Sequence, residues 1–345
     1  MPKTTLDEPE RRRQSVRHNL GSSQGFLGHH KDLMATMKTT FQSGSDQRLV
    51  TDLYAHQPTS PALTHPPAGA NSLEPPATRG VFLCLHGLGD HAQMFESFAG
   101  KALQSGFASA AMDLRGHGRS AGKRGHAVSY DALLDDVSAL RENVVQRLGN
   151  VPQFLLGHSA GGNIALNYAL RRGEFGDSRH RSPTIDADGS LGPLAGLALL
   201  SPMLLPPQPV TRPQILAAWL TGYLVPWFRI KKRPALRKIT SDPDEQQRIR
   251  NDDRRHGRLS IYLATQLLSQ GRWAIDHARS VDLRTLLIVG EDDELIDRDA
   301  VHHAALRIGR LADTTSVPKG RHDLLHDHTA DVVMRRIIQW AQQCC

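Results

Sequence analysis

Cysteine is scarce in this chain: three among 345 residues, two of them the adjacent pair Cys344-Cys345. Three thiols cannot build the dense disulfide framework of a small secreted domain, and a chain of this length buries enough surface to fold without one. The usage fits a reducing, cytoplasmic setting. Aromatic residues are also few, 5% of the total. That leaves little for the stacking platforms that read single-stranded nucleic acid. The net charge of +7 is therefore not a nucleic-acid signature, and no binding motif accompanies the basic stretches at 229–238 and 248–258. Apolar runs are short. None reaches the roughly 18 residues that a membrane-spanning helix needs. An apolar signal core is missing near the start, where Asp7, Glu8 and Glu10 precede Arg11-Arg12-Arg13, so neither a secretory signal nor a transit peptide is expected.

Polar composition marks three loose stretches. Residues 1–35 are expected to be a flexible polar tail. Residues 57–79, rich in Pro and Ala, read as a long hairpin loop, not a domain linker. Residues 173–192 interrupt a return from helix to strand. The remainder, 36–345, reads as one α/β domain with a helical insertion at about 203–275.

The most informative stretch is Gly157-His158-Ser159-Ala160-Gly161. It follows the apolar run Phe154-Leu155-Leu156 and precedes an apolar-periodic run from Ile164 to Leu170. That is strand, sharp turn and helix with a serine at the tip, the context in which Gly-x-Ser-x-Gly makes a nucleophile elbow. Small flanking residues let the turn close, and the N–H after the serine points toward a developing oxyanion.

A serine hydroxyl needs a base to take its proton, and the base needs an orienting acid. Leu286-Leu287-Ile288-Val289 reads as a buried parallel strand, and the acidic loop Glu291 to Asp297 follows it. Asp293, four residues past Val289, is the first choice for the acid, Asp292 the second and Glu294 the third. Thr315-Ser316-Val317 then reads as a short strand. His322 lies between it and a terminal helix over 332–341, and is preferred on position to His326. Upstream, Val81 to Leu85 reads as a strand ending in His86-Gly87-Leu88-Gly89. Leu88 N–H is the expected second oxyanion donor beside Ala160 N–H.

Together His86-Gly87, Asp113-Leu114-Arg115-Gly116-His117-Gly118-Arg119-Ser120, Gly157 to Gly162, Gly290-x-x-Asp293 and Gly320-x-His322 resemble the monoacylglycerol lipase and lysophospholipase family of α/β-hydrolases. The resemblance runs from about Leu49 to the C-terminus. It implies a mostly parallel central sheet with helices on both faces, a Ser159-His322-Asp293 triad, an oxyanion hole at Leu88 and Ala160, and a cap inserted after Ser201-Pro202. One residue departs: the family often carries Met where this chain has Ala160. The donor there is a backbone group, so the exchange spares the hole. Ala160 to Asn163 also resembles the hormone-sensitive-lipase-like esterases, but their His-Gly-Gly-Gly loop is absent from His86 to Gly89.

No cofactor or metal is expected. Gly116-His117-Gly118 lacks both the Lys-Ser/Thr of a phosphate loop and the spacing of a dinucleotide fingerprint, and reads as a turn passing close to the site. His86, His117 and His158 lack metal-ligand spacing. Ile215-Leu216, Trp219-Leu220, Tyr223-Leu224 and Trp227-Phe228 recur every four residues, an apolar stripe on a helix that Pro226 kinks or ends. Two readings stand: a helix packed on the core, or a lid that lines an acyl tunnel or touches anionic lipid beside Arg229, Lys231 and Lys232. A second insertion helix is expected over 259–268 with Tyr262, Leu263 and Leu267 inward. The expected activity is hydrolysis of the carboxylic ester of a single-chain lipid, a monoacylglycerol or lysophospholipid, with transient membrane-surface contact through the cap. The alternatives are a short-chain carboxylesterase, an aminopeptidase of the same fold, and a non-catalytic ligand-binding homologue.

Overall fold

The computed structural model describes residues 34–43, 47–56, 78–174, 194–231 and 233–345. The expected tail, apart from Met34 and Ala35, lies outside them, as do most of the two loose stretches at 57–79 and 173–192. Eight strands form one sheet: β1 (Met34–Ser43), β2 (Gln47–His56), β3 (Gly80–Leu85), β4 (Phe107–Asp113), β5 (Gln153–His158), β6 (Leu194–Leu200), β9 (Thr285–Gly290) and β10 (Ala312–Val317). Their order is β1-β2-β4-β3-β5-β6-β9-β10. The pairs β1–β2 and β2–β4 are antiparallel, and every pair from β4 to β10 is parallel.

The inner strands carry apolar runs on both faces because both faces are covered. Alternate side chains enter different cores. Val81, Leu83 and Leu85 of β3 and Leu287 and Val289 of β9 face one cluster. Phe82, Cys84, Leu286 and Ile288 face the other. Side chains of α2 (Asp131–Leu148), α3 (Ala160–Glu174) and α8 (Arg298–Ile308) complete the first core, and those of α1 (Glu96–Gln104) and α9 (Ala330–Gln342) the second. In the second core the Phe82 ring meets Phe98, Phe107 and Phe154 at 5.0, 5.4 and 5.5 Å between centroids, and Trp340 closes on Phe154 at 5.9 Å. Burying one such ring contributes about 1.5–3 kcal/mol.

The strand β1 begins inside the expected tail. It is a sheet edge, exposed at Thr36, Met37, Lys38 and Thr40, so no apolar alternation announces it.

The segment between β6 and β9 carries α4 (Arg212–Leu224), β7 (Arg229–Lys231), α5 (Leu236–Ile239), α6 (Pro243–Asn251), β8 (Arg258–Ser260) and α7 (Ile261–His277). The helix α7 outruns the expected 259–268 because its apolar spacing continues: Leu263, Leu267, Ala274 and Ile275 are all buried. It packs on α3, and α4 packs on α7. Tyr262, expected inward, is half-buried. In α4 only Gly222 is buried. Leu216, Trp219 and Tyr223 are 58%, 58% and 74% exposed. The apolar stripe therefore faces outward, against the reading of a helix packed on the core. Pro226 follows the end of the helix at Leu224. No helix among the described residues is long and apolar enough to cross a membrane.

Candidate active site

The residues singled out by the sequence follow the C-terminal ends of four parallel strands, where open α/β sheets place their chemistry. Leu88 follows β3, Ser159 β5, Asp293 β9 and His322 β10. All four line one cleft of about 1100 Å³, together with the apolar Met203, Ile230, Ile239, Leu259 and Ile296.

Ser159 has φ +53°, a left-handed conformation that costs an L-residue of order 1–2 kcal/mol. The surroundings over-determine it. Its N–H donates to Leu200 O at 3.0 Å, and its carbonyl accepts from Met203, Gly162 and Asn163 at 2.9, 3.0 and 3.1 Å. The flanking glycines are required by contact. A Cβ on Gly157 would lie 2.4 Å from Gly161 O, and one on Gly161 would lie 2.1 Å from Leu85 O. The turn is thus wedged between its own helix and the end of β3. The loop after β3 comes equally close: a Cβ on Gly87 would stand 3.0 Å from Ser159 Cβ. Ala160 opens α3, so its N–H is among the four that a helix leaves without an internal acceptor. Leu88 sits in a turn closed by Asp90 N–H donating to Gly87 O at 3.3 Å.

His322 Nδ1 lies 2.8 Å from Asp293 Oδ2, and the other carboxylate oxygen accepts Leu295 N–H at 2.8 Å. Burial opposes a charged ring at His322, but the carboxylates of Asp293, Asp323 and Asp90 outweigh it and raise its pKa. Burial would likewise raise Asp293, and the facing His322 reverses this, holding the acid below its ordinary range. The bond requires the proton on Nδ1, leaving Nε2 as an acceptor.

None of the other candidates for the acid bonds His322, and His326 does not line the cleft. Asp292 is exposed. Glu294 is exposed and paired with Lys238 at 2.7 Å and Arg321 at 3.5 Å. His326 bonds Asp323 at 3.0 Å.

Sequence reasoning missed one member of the site. The Nε2–H of His158 donates to His322 O at 3.1 Å, so the residue before the serine grips the loop of His322. Burial and the neighbouring His322 lower its pKa to about 4, and the ring is neutral at pH 7. The only textual signal was its place inside the Gly-x-Ser-x-Gly stretch. Gly116 to Ser120 does not line the cleft. That turn folds over Asp113, whose carboxylate takes Ala92 N–H at 2.7 Å and Arg119 N–H at 3.0 Å.

Among the described residues one group gathers metal-ligating atoms, Glu245, Asp323 and His326, within 4.8 Å of one another. Its charges are already met. Arg248 holds both oxygens of Glu245 at 2.6 and 2.7 Å, and Asp323 holds His326. His86 also uses both ring nitrogens, donating from Nδ1 to Gly87 O at 2.7 Å and accepting Leu114 N–H at 3.0 Å.

This constellation defines a class, and comparison with known proteins agrees. The family model described as serine aminopeptidase, S33, matches residues 76–329. The chain belongs to that family, and it is a serine hydrolase of the α/β-hydrolase fold. An uncharacterized abhydrolase domain-containing protein of Dictyostelium discoideum is 26% identical over 75% of this chain. The match spans 26% of that protein, so the chain covers about a quarter of its length. The monoacylglycerol lipase of Mycolicibacterium smegmatis is 25% identical over 76% of this chain and 88% of its own. A soluble variant of monoglyceride lipase from Saccharomyces cerevisiae, solved with a substrate analog, superposes with a TM-score of 0.70. It covers 90% of this chain and 96% of its own at 18% identity, a likeness of fold.

Proposed function

We propose that the chain hydrolyses the carboxylic ester of a single-chain lipid, a monoacylglycerol or lysophospholipid, through an acyl-enzyme. The observation that carries the proposal is the strained Ser159 in one cleft with the His322–Asp293 pair. Ser159 Oγ attacks the ester carbonyl and its proton passes to His322 Nε2. Asp293 orients the ring through Nδ1 and stabilises the imidazolium. The N–H groups of Leu88 and Ala160 receive the oxyanion. Collapse expels the alcohol, which takes the proton from His322. Water then attacks the acyl carbonyl, gives a proton to His322, and the fatty acid leaves as Ser159 regains its hydrogen.

Three observations support a lipid substrate. Part of the cleft wall is apolar, with Met203, Ile230, Ile239, Leu259 and Ile296 beside charged residues. The segment between β6 and β9, read as a cap, presents Leu216, Trp219, Tyr223 and Trp227 outward beside the exposed Arg229, Lys231 and Arg233. The Mycolicibacterium relative is named a monoacylglycerol lipase. An apolar face with a basic border suits transient contact with an anionic membrane surface. A cytoplasmic place with such peripheral contact belongs to the same proposal.

The test is product release from monoacylglycerol, lysophosphatidylcholine, a short aryl ester and an aminoacyl amide, wild type beside Ser159→Ala. Fatty acid from a single-chain lipid with wild type alone supports the proposal. Turnover confined to the aryl ester makes the protein a short-chain carboxylesterase, and turnover confined to the amide an aminopeptidase. Inertness on all four, with no labelling by a fluorophosphonate, points to a ligand-binding homologue.

A further inference from the structure

The turn that carries Leu88 does not stand alone. The segment Asp252 to His256, between α6 and β8, is laid along it residue by residue. His91 Nε2 meets Asp252 Oδ2 at 2.6 Å. Arg254 Nη2 donates to Gln93 Oε1. Arg255 grips Asp90 with two donors, Nε at 3.0 Å from Oδ1 and Nη2 on Oδ2. His256 N–H donates to Gly89 O at 2.9 Å. The backbones meet so closely that Gly89, at φ +75°, has room for no side chain: a Cβ there would lie 2.0 Å from His256 O.

The segment is itself held from behind. His256 Nε2–H donates to Gly116 O at 3.1 Å, and its ring lies tilted against that of His117 with centroids 4.6 Å apart. Arg233 donates to Arg255 O at 2.8 Å. On the other side, Asp90 N–H closes the Leu88 turn onto Gly87, and Asp90 Oδ1 also accepts His91 N–H at 2.9 Å. Asp90 and Arg255 are both buried, their side chains 9% and 10% exposed. A bidentate pair in that setting is stiff, because the guanidinium fork fixes direction as well as distance.

We propose that Asp252 to His256 is a clasp that sets the angle of the Leu88 N–H, and that Arg255 is its main positioning residue. Arg255 borders the cleft, with its Nε and Nη2 committed to Asp90. It holds Asp90, Asp90 closes the turn, and the turn presents the donor. The inference rests on the reading of Leu88 as an oxyanion donor. It goes beyond that reading by making the insertion a structural part of the oxyanion hole, not only a cover for the acyl chain. Slackening the clasp is expected to weaken transition-state binding more than substrate binding, since an oxyanion donor acts on charge that develops only in the transition state.

The experiment uses the full chain carrying Arg255→Gln, and Asp90→Asn with Arg255→Gln together. The double variant replaces a buried ion pair by a neutral amide pair, so it folds even if the single variant, with Asp90 unpaired, does not. Arg255→Lys is the rescue, restoring charge without the fork. Three quantities are read: kcat and KM on a soluble ester, inhibition by a trifluoromethyl ketone that forms a tetrahedral adduct, and hydrogen exchange of amides 87–93. The expected result is a kcat lowered about 10–100-fold with KM within about twofold. Ketone affinity falls in parallel, exchange at 87–93 quickens while the central strands stay protected, and Arg255→Lys lies between. Unchanged exchange at 87–93 in a folded double variant overturns the clasp whatever the activity. Faster exchange with unchanged kcat and ketone affinity overturns its role in positioning. A wild type inert to substrate and ketone defeats the hydrolase reading and, with it, any catalytic role for Arg255, while exchange still shows whether the clasp holds the turn.

Discussion

Replacing Asp293 by Asn separates the electrostatic work of the carboxylate from its shape. The amide oxygen can still accept Leu295 N–H, now at 2.8 Å from Oδ1. The other position becomes NH₂, a donor facing His322 Nδ1 across a gap that is 2.8 Å with the carboxylate. Two donors cannot share that gap. The ring must therefore lose the Nδ1 proton and carry it on Nε2, the nitrogen that accepts from Ser159 in the proposed mechanism. The same exchange in a serine-protease triad costs about 10⁴ in kcat, or roughly 5 kcal/mol at 1.36 kcal/mol per decade. A loss of that order is expected here. The pH profile is expected to move as well. Asp293 raises the pKa of His322, and the base acts only when neutral, so the acidic limb of wild-type kcat/KM lies above the ordinary histidine value of about 6.5. In Asp293→Asn that limb falls to lower pH. Stability changes with a definite sign. A raised His322 pKa contributes fully below the unfolded value and is lost as pH rises through the folded one. A lowered Asp293 pKa contributes above the unfolded value and is lost as pH falls through the folded one. The substitution thus lowers the urea midpoint more at pH 5 than at pH 9. Steady-state kinetics from pH 5 to 9 and urea melts at both ends are the assays. Activity within tenfold of wild type, or an acidic limb that stays in place, refutes the reasoning.

Four other changes have outcomes that follow from the geometry. Ser159→Ala should lower turnover by several orders of magnitude and abolish labelling by a fluorophosphonate, read by intact mass, with the melting temperature little changed. Gly161→Ala drives a methyl to 2.1 Å from Leu85 O, and should destabilise by at least the ~1–3 kcal/mol of an overpacked core, seen in urea melts. Arg115→Ala leaves Asp136, wholly buried and bonded at 2.6 and 2.5 Å, without its partner, and should cost about 3–5 kcal/mol. Trp219→Ser with Tyr223→Ser removes exposed rings stacked at 5.8 Å. It should weaken co-sedimentation with phosphatidylglycerol vesicles while moving the melting temperature little, and undiminished sedimentation would count against membrane contact through α4.

What could be read from the chain, and what could not, divides along a physical line. The strands β3, β5 and β9 announce themselves because both faces are buried and each carries an apolar run of three residues or more. The elbow is equally plain, since glycines crowded to 2.1 and 2.4 Å tolerate no substitute. The choice of Asp293 over its neighbours rested on distance from a strand end, and the strand delivers that residue to His322. Polar β1 at the sheet edge carries no such signal. The outward turn of α4 was not decided by its apolar spacing, because the same stripe serves a core or a lipid surface. The pairs Asp90–Arg255 and His91–Asp252 join residues 165 and 161 positions apart, and no local spacing can reveal such partners.

Because the groups of the cleft ride on the ends of separate parallel strands, the hydrogen-bond ladder is their common ruler. The ladder pairs Gly290 with Val317 and Gly157 with Leu199. A slip of one residue in β9 displaces whatever follows it by about 3.3 Å, more than the whole His322–Asp293 separation of 2.8 Å. It also turns every side chain of the strand to the opposite core. Gains and losses of single residues should therefore be silent in this lineage only where no rung lies between the change and the cleft. Length variation has room beyond the strand ends, and the spacing inside them is the part of the text that cannot be edited.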